Sequence, residues 1–262
     1  ESLPGNSPVG SRMAIMLGGA AARAGEKLKA KIMAIAAHRL GVAIDQLRYE
    51  GGDVLAHDGR RFTWDEMVEL AHRQYHNLPD GMDPGLASFD IMQVPTGDAL
   101  PVDDKVQMYP CYSFEFHLLL VSFDPIIGRP DIHSYVIGHD CGTVINPAIV
   151  SGMTYGGIAH GIGAALFEEF AYDTNGQLLT QSFLDYLMPS SHEVPAIQIV
   201  KHCTPSPHTV FGQKGSGESG YLGAPAAVSA AINDAVSGLG IHFEKLPIRM
   251  SAISDAIAAK TS

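Results

Sequence analysis

The segment that follows Asn146-Pro147 constrains the fold of this chain more than any other feature. Its spacing predicts a helix over about 149–170. Five glycines fall inside that helix: Gly152, Gly156, Gly157, Gly161 and Gly163. Each glycine costs a helix roughly 1 kcal/mol relative to alanine, so a free-standing helix of this composition is disfavoured. We therefore expect another part of the molecule to pack closely against the backbone of this helix.

The other patterns predict an α+β fold with mixed or antiparallel sheets and packed helices. Apolar spacing predicts further helices over about 13–40, 63–76, 224–236 and 251–259. A capping box of Thr63 and Glu66 is typical of a helix start and opens the second of them. Alternating residues predict hairpins over 47–55 and 171–180, an antiparallel pair over 112–123 and 132–139, and a strand over 197–203. Prolines and glycines over 77–110 predict a long irregular crossing.

Composition excludes several functional classes. The 17 basic and 28 acidic side chains give a net charge of −11, which argues against a nucleic-acid binder. No apolar run reaches the roughly 18 residues that a bilayer span needs. Cys111, Cys141 and Cys203 form no C-x-x-C pair, which excludes a cysteine zinc ribbon and favours a reducing, cytoplasmic compartment. Charged residues make up only 17%, and we attribute this to surfaces that partners cover.

A glycine-rich loop, residues 212–220, carries the most specific chemical signal. Its stretch from Gly215 to Gly220 formally matches the G-x-G-x-x-G of dinucleotide-binding folds, and an apolar strand predicted over 241–244 ends in an acid. That interpretation is disfavoured because Glu218 would put a carboxylate where phosphate should bind. Two alternatives remain, a solvated turn glutamate or a general base held by small neighbours in a cleft. For Asp140, a buried carboxylate that caps a turn is favoured over a catalytic role.

Several segments resemble, in order, the molybdenum-binding subunit of the xanthine dehydrogenase / aldehyde oxidoreductase family. Residues 214–227, KGSGESGYLGAPAA, resemble its C-terminal signature. Residues 139–147, HDCGTVINP, resemble its D-x-G-x-x-x-N-P segment, and 156–169 resemble its glycine-rich helix. Residues 4–12, PGNSPVGSR, resemble its cofactor loop. Because the set runs in family order over nearly the whole chain, it is similar to the C-terminal part of that subunit.

The resemblance implies a molybdenum hydroxylase or dehydrogenase that oxidises an N-heterocycle or an aldehyde with oxygen derived from water. It implies that Glu218 is the general base at the Mo–OH group. A pterin dithiolene would hold the metal, so no side chain of this chain is expected to bind it directly. The residues implied by position to bind the cofactor are Ser11, Arg12, Met13, Ala14, Met153 and Gly217.

The resemblance also implies cofactors and partners. The cofactors are the molybdenum cofactor, as molybdopterin or its cytosine dinucleotide form, and 2Fe-2S clusters and FAD on partner chains. The partners are the rest of the molybdenum subunit, an iron–sulfur subunit, a flavin subunit and a small-molecule substrate. Since the family's upstream motifs have no counterpart here, we expect a separately encoded or cleaved piece that cannot build the active site alone.

We expect two intertwined parts within the chain. Residues 1–110 would supply the cofactor loop, helices and the irregular crossing, and residues 111–262 the β-rich part with the catalytic loop. One position departs from the family pattern, which has Gly-Gln where this chain has Gly152-Met153. Methionine cannot donate the hydrogen bond that glutamine gives the cofactor. The alternative function is therefore a non-catalytic assembly subunit without a cofactor of its own.

Overall fold

The computed structural model of the chain describes residues 9–95, 103–105 and 109–261. It contains two compact units, one formed by Ile15–Val94 and the other by the chain before Ile15 together with the chain after Val94. The helices and mixed sheets confirm the predicted α+β class. The part boundary placed at residue 110 stays a prediction.

The Ile15–Val94 unit packs helices against a small antiparallel sheet. Its elements are most of α1 (Met13–Leu40), β1 (Leu47–Glu50), β2 (Asp53–Ala56), β3 (Arg61–Phe62) and α2 (Trp64–His72). The sheet order is β1-β2-β3. The core of this unit includes Ile35, Val54 and Met67, each fully buried. This unit therefore has a hydrophobic core of its own.

A local side-chain signal marks the start of α2. The hydroxyl of Thr63 accepts the N–H of Glu66 at 3.3 Å, and the Glu66 carboxylate accepts the N–H of Thr63 at 2.9 Å. The predicted capping box is thus present. The helix ends at His72, four residues earlier than predicted, and a 3₁₀ turn follows over Tyr75–Asn77. The sequence did not predict β3, which has only two residues.

The second unit is built on a mixed three-stranded sheet. Its strands are β4 (Phe114–Phe123), β5 (Pro130–Asp140) and β6 (Ile197–His202), and its helices are α3 (Pro147–Leu166), α4 (Ala224–Val236) and α5 (Met250–Thr261). Strand β5 lies in the centre, antiparallel to β4 and parallel to β6. The side chains of Tyr135, Ile137, Ile158, Ile162 and Val228 lie in one core that joins sheet and helices. None of the helices in the described residues has the length and apolarity that a bilayer crossing requires.

Three predicted elements of this unit differ from the structure. Helix α3 ends at Leu166 rather than near residue 170. The predicted hairpin over 171–180 is reduced to one bridge, because the Asp173 carboxylate accepts the N–H groups of Asn175 and Gln177 and forms a side-chain turn. The strand predicted over 241–244 is absent, because Asn233 hydrogen-bonds both backbone groups of Phe243 in place of a neighbouring strand.

Candidate functional site

The glycine-rich loop packs directly against the segment predicted to bind the cofactor. A Cβ atom at Gly217 would lie 2.9 Å from the Oγ atom of Ser11, and one at Gly215 would lie 2.6 Å from its carbonyl oxygen. Gly215 meets backbone, which cannot move aside, so this position requires glycine, whereas the Ser11 hydroxyl that Gly217 meets can rotate away. The side chain of Gln213, which is 2% exposed, donates to the carbonyl of Ala14 at 2.9 Å. These contacts join two segments that lie about 200 residues apart in the sequence.

The other side of the loop packs against the backbone of α3. A Cβ atom at Gly157 would collide with the carbonyl of Ser219 and lie 2.8 Å from the nitrogen of Tyr221. Gly220, whose φ is +83°, packs in turn against the carbonyl of Thr154. The close packing expected from the glycines of α3 is therefore present in this part of the helix.

A buried ion pair anchors the start of the loop. The Nζ atom of Lys214 donates to the Asp140 carboxylate at 3.3 Å and to the Thr204 hydroxyl at 2.6 Å. Asp140 also accepts the N–H of Gly142 at 2.8 Å. Burial alone raises the pKa of Asp140, but hydrogen bonds from Thr204 and Gly142 outweigh it and hold the pKa well below its ordinary value. Asp140 is thus the buried turn carboxylate that the sequence favoured.

Glu218 lies in the middle of this anchored loop, and its side chain is exposed, as is Gly217. The carbonyl of Glu218 accepts the N–H of Tyr221 at 3.2 Å, and Ser219 donates its N–H to Ser216 at 3.3 Å. The loop therefore forms consecutive turns with buried contacts on either side of one accessible carboxylate. This arrangement can present a base to a molecule that approaches from outside the chain.

The four predicted residues before and within the start of α1 are partly or fully accessible. Ser11 and Arg12 are half-buried, Met13 is 51% exposed and Ala14 is exposed. The first turn of α1 contains no acidic residue. Because first-turn N–H groups have no acceptor within their helix, this end of α1 can donate hydrogen bonds to an anionic group.

Open helix surface surrounds Met153, which the resemblance also implies as a cofactor-binding residue. The Met153 side chain is 41% exposed. Cβ atoms at Gly152 and Gly156 would meet nothing within 4 Å, unlike those at Gly157 and Gly161. Accessible backbone on α3 and donors on α1 therefore fit a bulky, anionic cofactor. Within the described ranges, no group of three or more His, Cys, Asp or Glu side chains could hold a metal ion.

Sequence patterns assigned no role to three residues near the loop, of which His139 begins the HDCGTVINP segment. Glu115 and His117 of β4 and His139 of β5 have side chains that are 14%, 6% and 2% exposed. A signal for two of them is present in the alternation of β4, where Phe114 and Phe116 are 64% and 70% exposed while the intervening polar residues face inward. Polar residues on the inner face of a strand indicate a buried polar network.

The comparisons with known proteins identify the family of this chain. The family model for the molybdopterin cofactor-binding domain matches residues 2–195. The nicotine 6-hydroxylase large subunit of Paenarthrobacter nicotinovorans is 35% identical over 245 residues, which are 93% of this chain and 28% of that protein.

Two solved structures share the fold. The Cu,Mo-CO dehydrogenase in its carbon monoxide reduced state has a TM-score of 0.81 at 27% identity, covering 99% of this chain and 31% of that one. The quinoline 2-oxidoreductase of Pseudomonas putida 86 has a TM-score of 0.74 at 33% identity, covering 95% of this chain and 30% of that one. The chain thus spans less than a third of the length of these relatives.

Proposed function

This chain belongs to the molybdopterin cofactor-binding family, as the resemblance in its sequence predicted, and from that premise we propose that it is part of a molybdenum hydroxylase. The enzyme oxidises an N-heterocycle or an aldehyde with oxygen derived from water. Electrons pass to iron–sulfur and flavin centres in other chains or domains, and the assembly works in the cytoplasm. The observation that carries this proposal is the exposed Glu218 carboxylate on a loop packed against the segment that holds Ser11 and Ala14.

We assign roles to the residues of this chain from their positions. The exposed backbone around Met13 and Ala14 donates hydrogen bonds to the cofactor, and the surface around Met153 lies against it. Gly217 keeps the loop narrow, so that a bulky group can approach beside Glu218. The bound cofactor supplies a hydroxyl group activated at neutral pH and accepts the electrons of the oxidation.

Glu218 acts as the general base in this proposal. One of its carboxylate oxygens would take up a proton from the hydroxyl group that the cofactor would supply. A carboxylate can do this when it lies within hydrogen-bond reach of the group that gives up the proton. The N–H of Tyr221 holds the Glu218 backbone, which limits the positions that the carboxylate can take.

The test is Glu218→Gln in the assembled enzyme, with Glu244→Gln as the matched control. Glu244 is also an exposed glutamate, but it lies outside the loop. We expect Glu218→Gln to leave the molybdenum content unchanged and to lower turnover of quinoline or benzaldehyde by roughly 10²–10⁴-fold, the usual share of a general base. The control variant should keep the molybdenum content and the turnover of the wild type. Unchanged turnover in Glu218→Gln would show that Glu218 is not the general base.

A second candidate is a non-catalytic assembly subunit, favoured by Met153 at the family's glutamine position. Metal analysis of the purified assembly separates the two functions. Stoichiometric molybdenum and pterin support the hydroxylase, whereas their absence supports the assembly subunit. The cofactor content of a Met153→Gln variant is a further measurement. It should rise only if the surface around Met153 contacts the cofactor.

A further inference from the structure

A buried chain of polar contacts runs from β4 and β5 to the turn that carries Glu218. An Oε1 atom of Glu115 accepts the N–H of Gly220 at 2.8 Å. The Nε2 atom of His139 lies 2.9 Å from the hydroxyl of Ser219, and that hydroxyl lies 2.6 Å from the hydroxyl of Ser216. Three positions of the turn around Glu218 are therefore connected to one buried network.

The network is held together by charge as well as by hydrogen bonds. Burial alone raises the pKa of Glu115, but hydrogen bonds from His117 and from the N–H of Gly220 outweigh it and keep the pKa below its ordinary value. Burial lowers the pKa of His139, despite the opposing charge of Glu115 at 3.7 Å. An ionised Glu115 makes the bond to Gly220 charge-assisted, and such bonds are about twice as strong as neutral ones.

The far end of the network is closed. His117 lies 3.4 Å from the second oxygen of Glu115 and 2.8 Å from the hydroxyl of Tyr135. Tyr135 is 0% exposed, and burial followed by the charge of Glu115 raises its pKa. A proton that entered this chain of contacts would not reach solvent through Tyr135. The contacts of the network at the other end hold the backbone N–H of Gly220 and the side chain of Ser219.

We propose that Glu115 and His139 are positioning residues that hold the Ser216–Gly220 turn and thereby set the location of the Glu218 carboxylate. This rests on the proposed function of Glu218. Ser219 follows Glu218 directly and Gly220 comes next, so a shift of this backbone also displaces Glu218. A misplacement of about 1 Å at a catalytic group can cost on the order of 100-fold in rate.

The test compares Glu115→Ala, Glu115→Gln and His139→Gln in the assembled enzyme, with Glu193→Ala as the matched control. Glu193 also accepts a backbone N–H, that of Ser190 at 2.7 Å, but it lies outside the network. We expect Glu115→Ala to lower kcat about 100-fold with KM and molybdenum content nearly unchanged. Glu115→Gln keeps the acceptor without the charge and should recover part of the loss. His139→Gln should show an intermediate loss, and the control none.

Two further measurements distinguish the positioning role from the role of Glu218. Hydrogen exchange of the peptide that covers 214–223 should accelerate in Glu115→Ala, whether or not Glu218 is the base. A double variant with Glu218→Gln should be no slower than Glu218→Gln alone, because the two residues act through one group. Additive losses, or unchanged kcat and unchanged exchange in Glu115→Ala, would overturn the positioning role. Full turnover in Glu218→Gln together with faster exchange in Glu115→Ala would refute the proposed function but keep the loop contact.

Discussion

The two flanks of helix α3 differ in what they contact. On the packed flank, Gly157 meets the backbone of the glycine-rich loop, and Lys214 is buried against Asp140. On the open flank, Gly152 and Gly156 of the same helix meet nothing within 4 Å. Glycines within one helix thus serve two purposes, since some admit a neighbouring backbone and others leave the surface free. The packed flank holds the loop that carries Glu218, and in the proposed function the open flank is the surface against which the cofactor lies.

The largest expected effect is on the packed flank, at the buried ion pair. Asp140→Asn leaves the Nζ atom of Lys214 buried without its counter-charge, because both side chains are less than 10% exposed. Loss of one partner of a buried pair typically costs about 3–5 kcal/mol. Urea unfolding of the purified protein at pH 7 measures this loss. Asp58→Asn, which breaks an exposed pair with Arg60, is the control and should change little.

The same pair predicts a pH dependence. The pKa of Asp140 is lowered in the folded protein, so its stabilising contribution is complete above the ordinary value of 3.8 and is lost as the pH falls below it. The free-energy difference between wild type and Asp140→Asn should therefore narrow on acidification below pH 3.8. A constant difference down to pH 2.5 would show that the charge of Asp140 does not stabilise the fold.

The sequence predicted local features of the molecule better than its long-range contacts. The motif around Glu218 and the capping box of Thr63 and Glu66 are local, so residue types at fixed spacing reveal them. The contact between Glu115 and Gly220 joins residues 105 positions apart, and no periodicity encodes such a distance. The hairpin predicted over 171–180 is present only as one bridge between Tyr172 and Leu178, because the Asp173 side chain takes the N–H of Gln177 that a longer strand ladder would use.

A smaller effect is expected from Gly157→Ala, which adds one methyl group to the packed flank. The new Cβ atom collides with the Ser219 carbonyl, and backbone cannot move as a flexible side chain does. Overpacking of this kind typically costs about 1–3 kcal/mol, which outweighs the helical preference for alanine. We expect a lower melting temperature and lower turnover, since the displaced loop carries Glu218. A melting temperature equal to that of wild type would mean that the loop accommodates the methyl group.

The smallest effect on stability, of opposite sign, is expected from the same substitution one residue earlier. Gly156→Ala places its methyl group in open space, so the helix gains up to about 1 kcal/mol in propensity without a collision. The melting temperature of the cofactor-free protein should therefore rise slightly. If the open flank is where the cofactor lies, the same methyl group should lower the ratio of molybdenum to protein in the assembled enzyme. A rise in stability with unchanged molybdenum content would show that the cofactor does not lie against Gly156. A fall in stability would show that this face of α3 is not open. Because Gly156 and Gly157 are adjacent and receive identical substitutions, opposite signs of their stability changes can arise only from the difference between the two flanks.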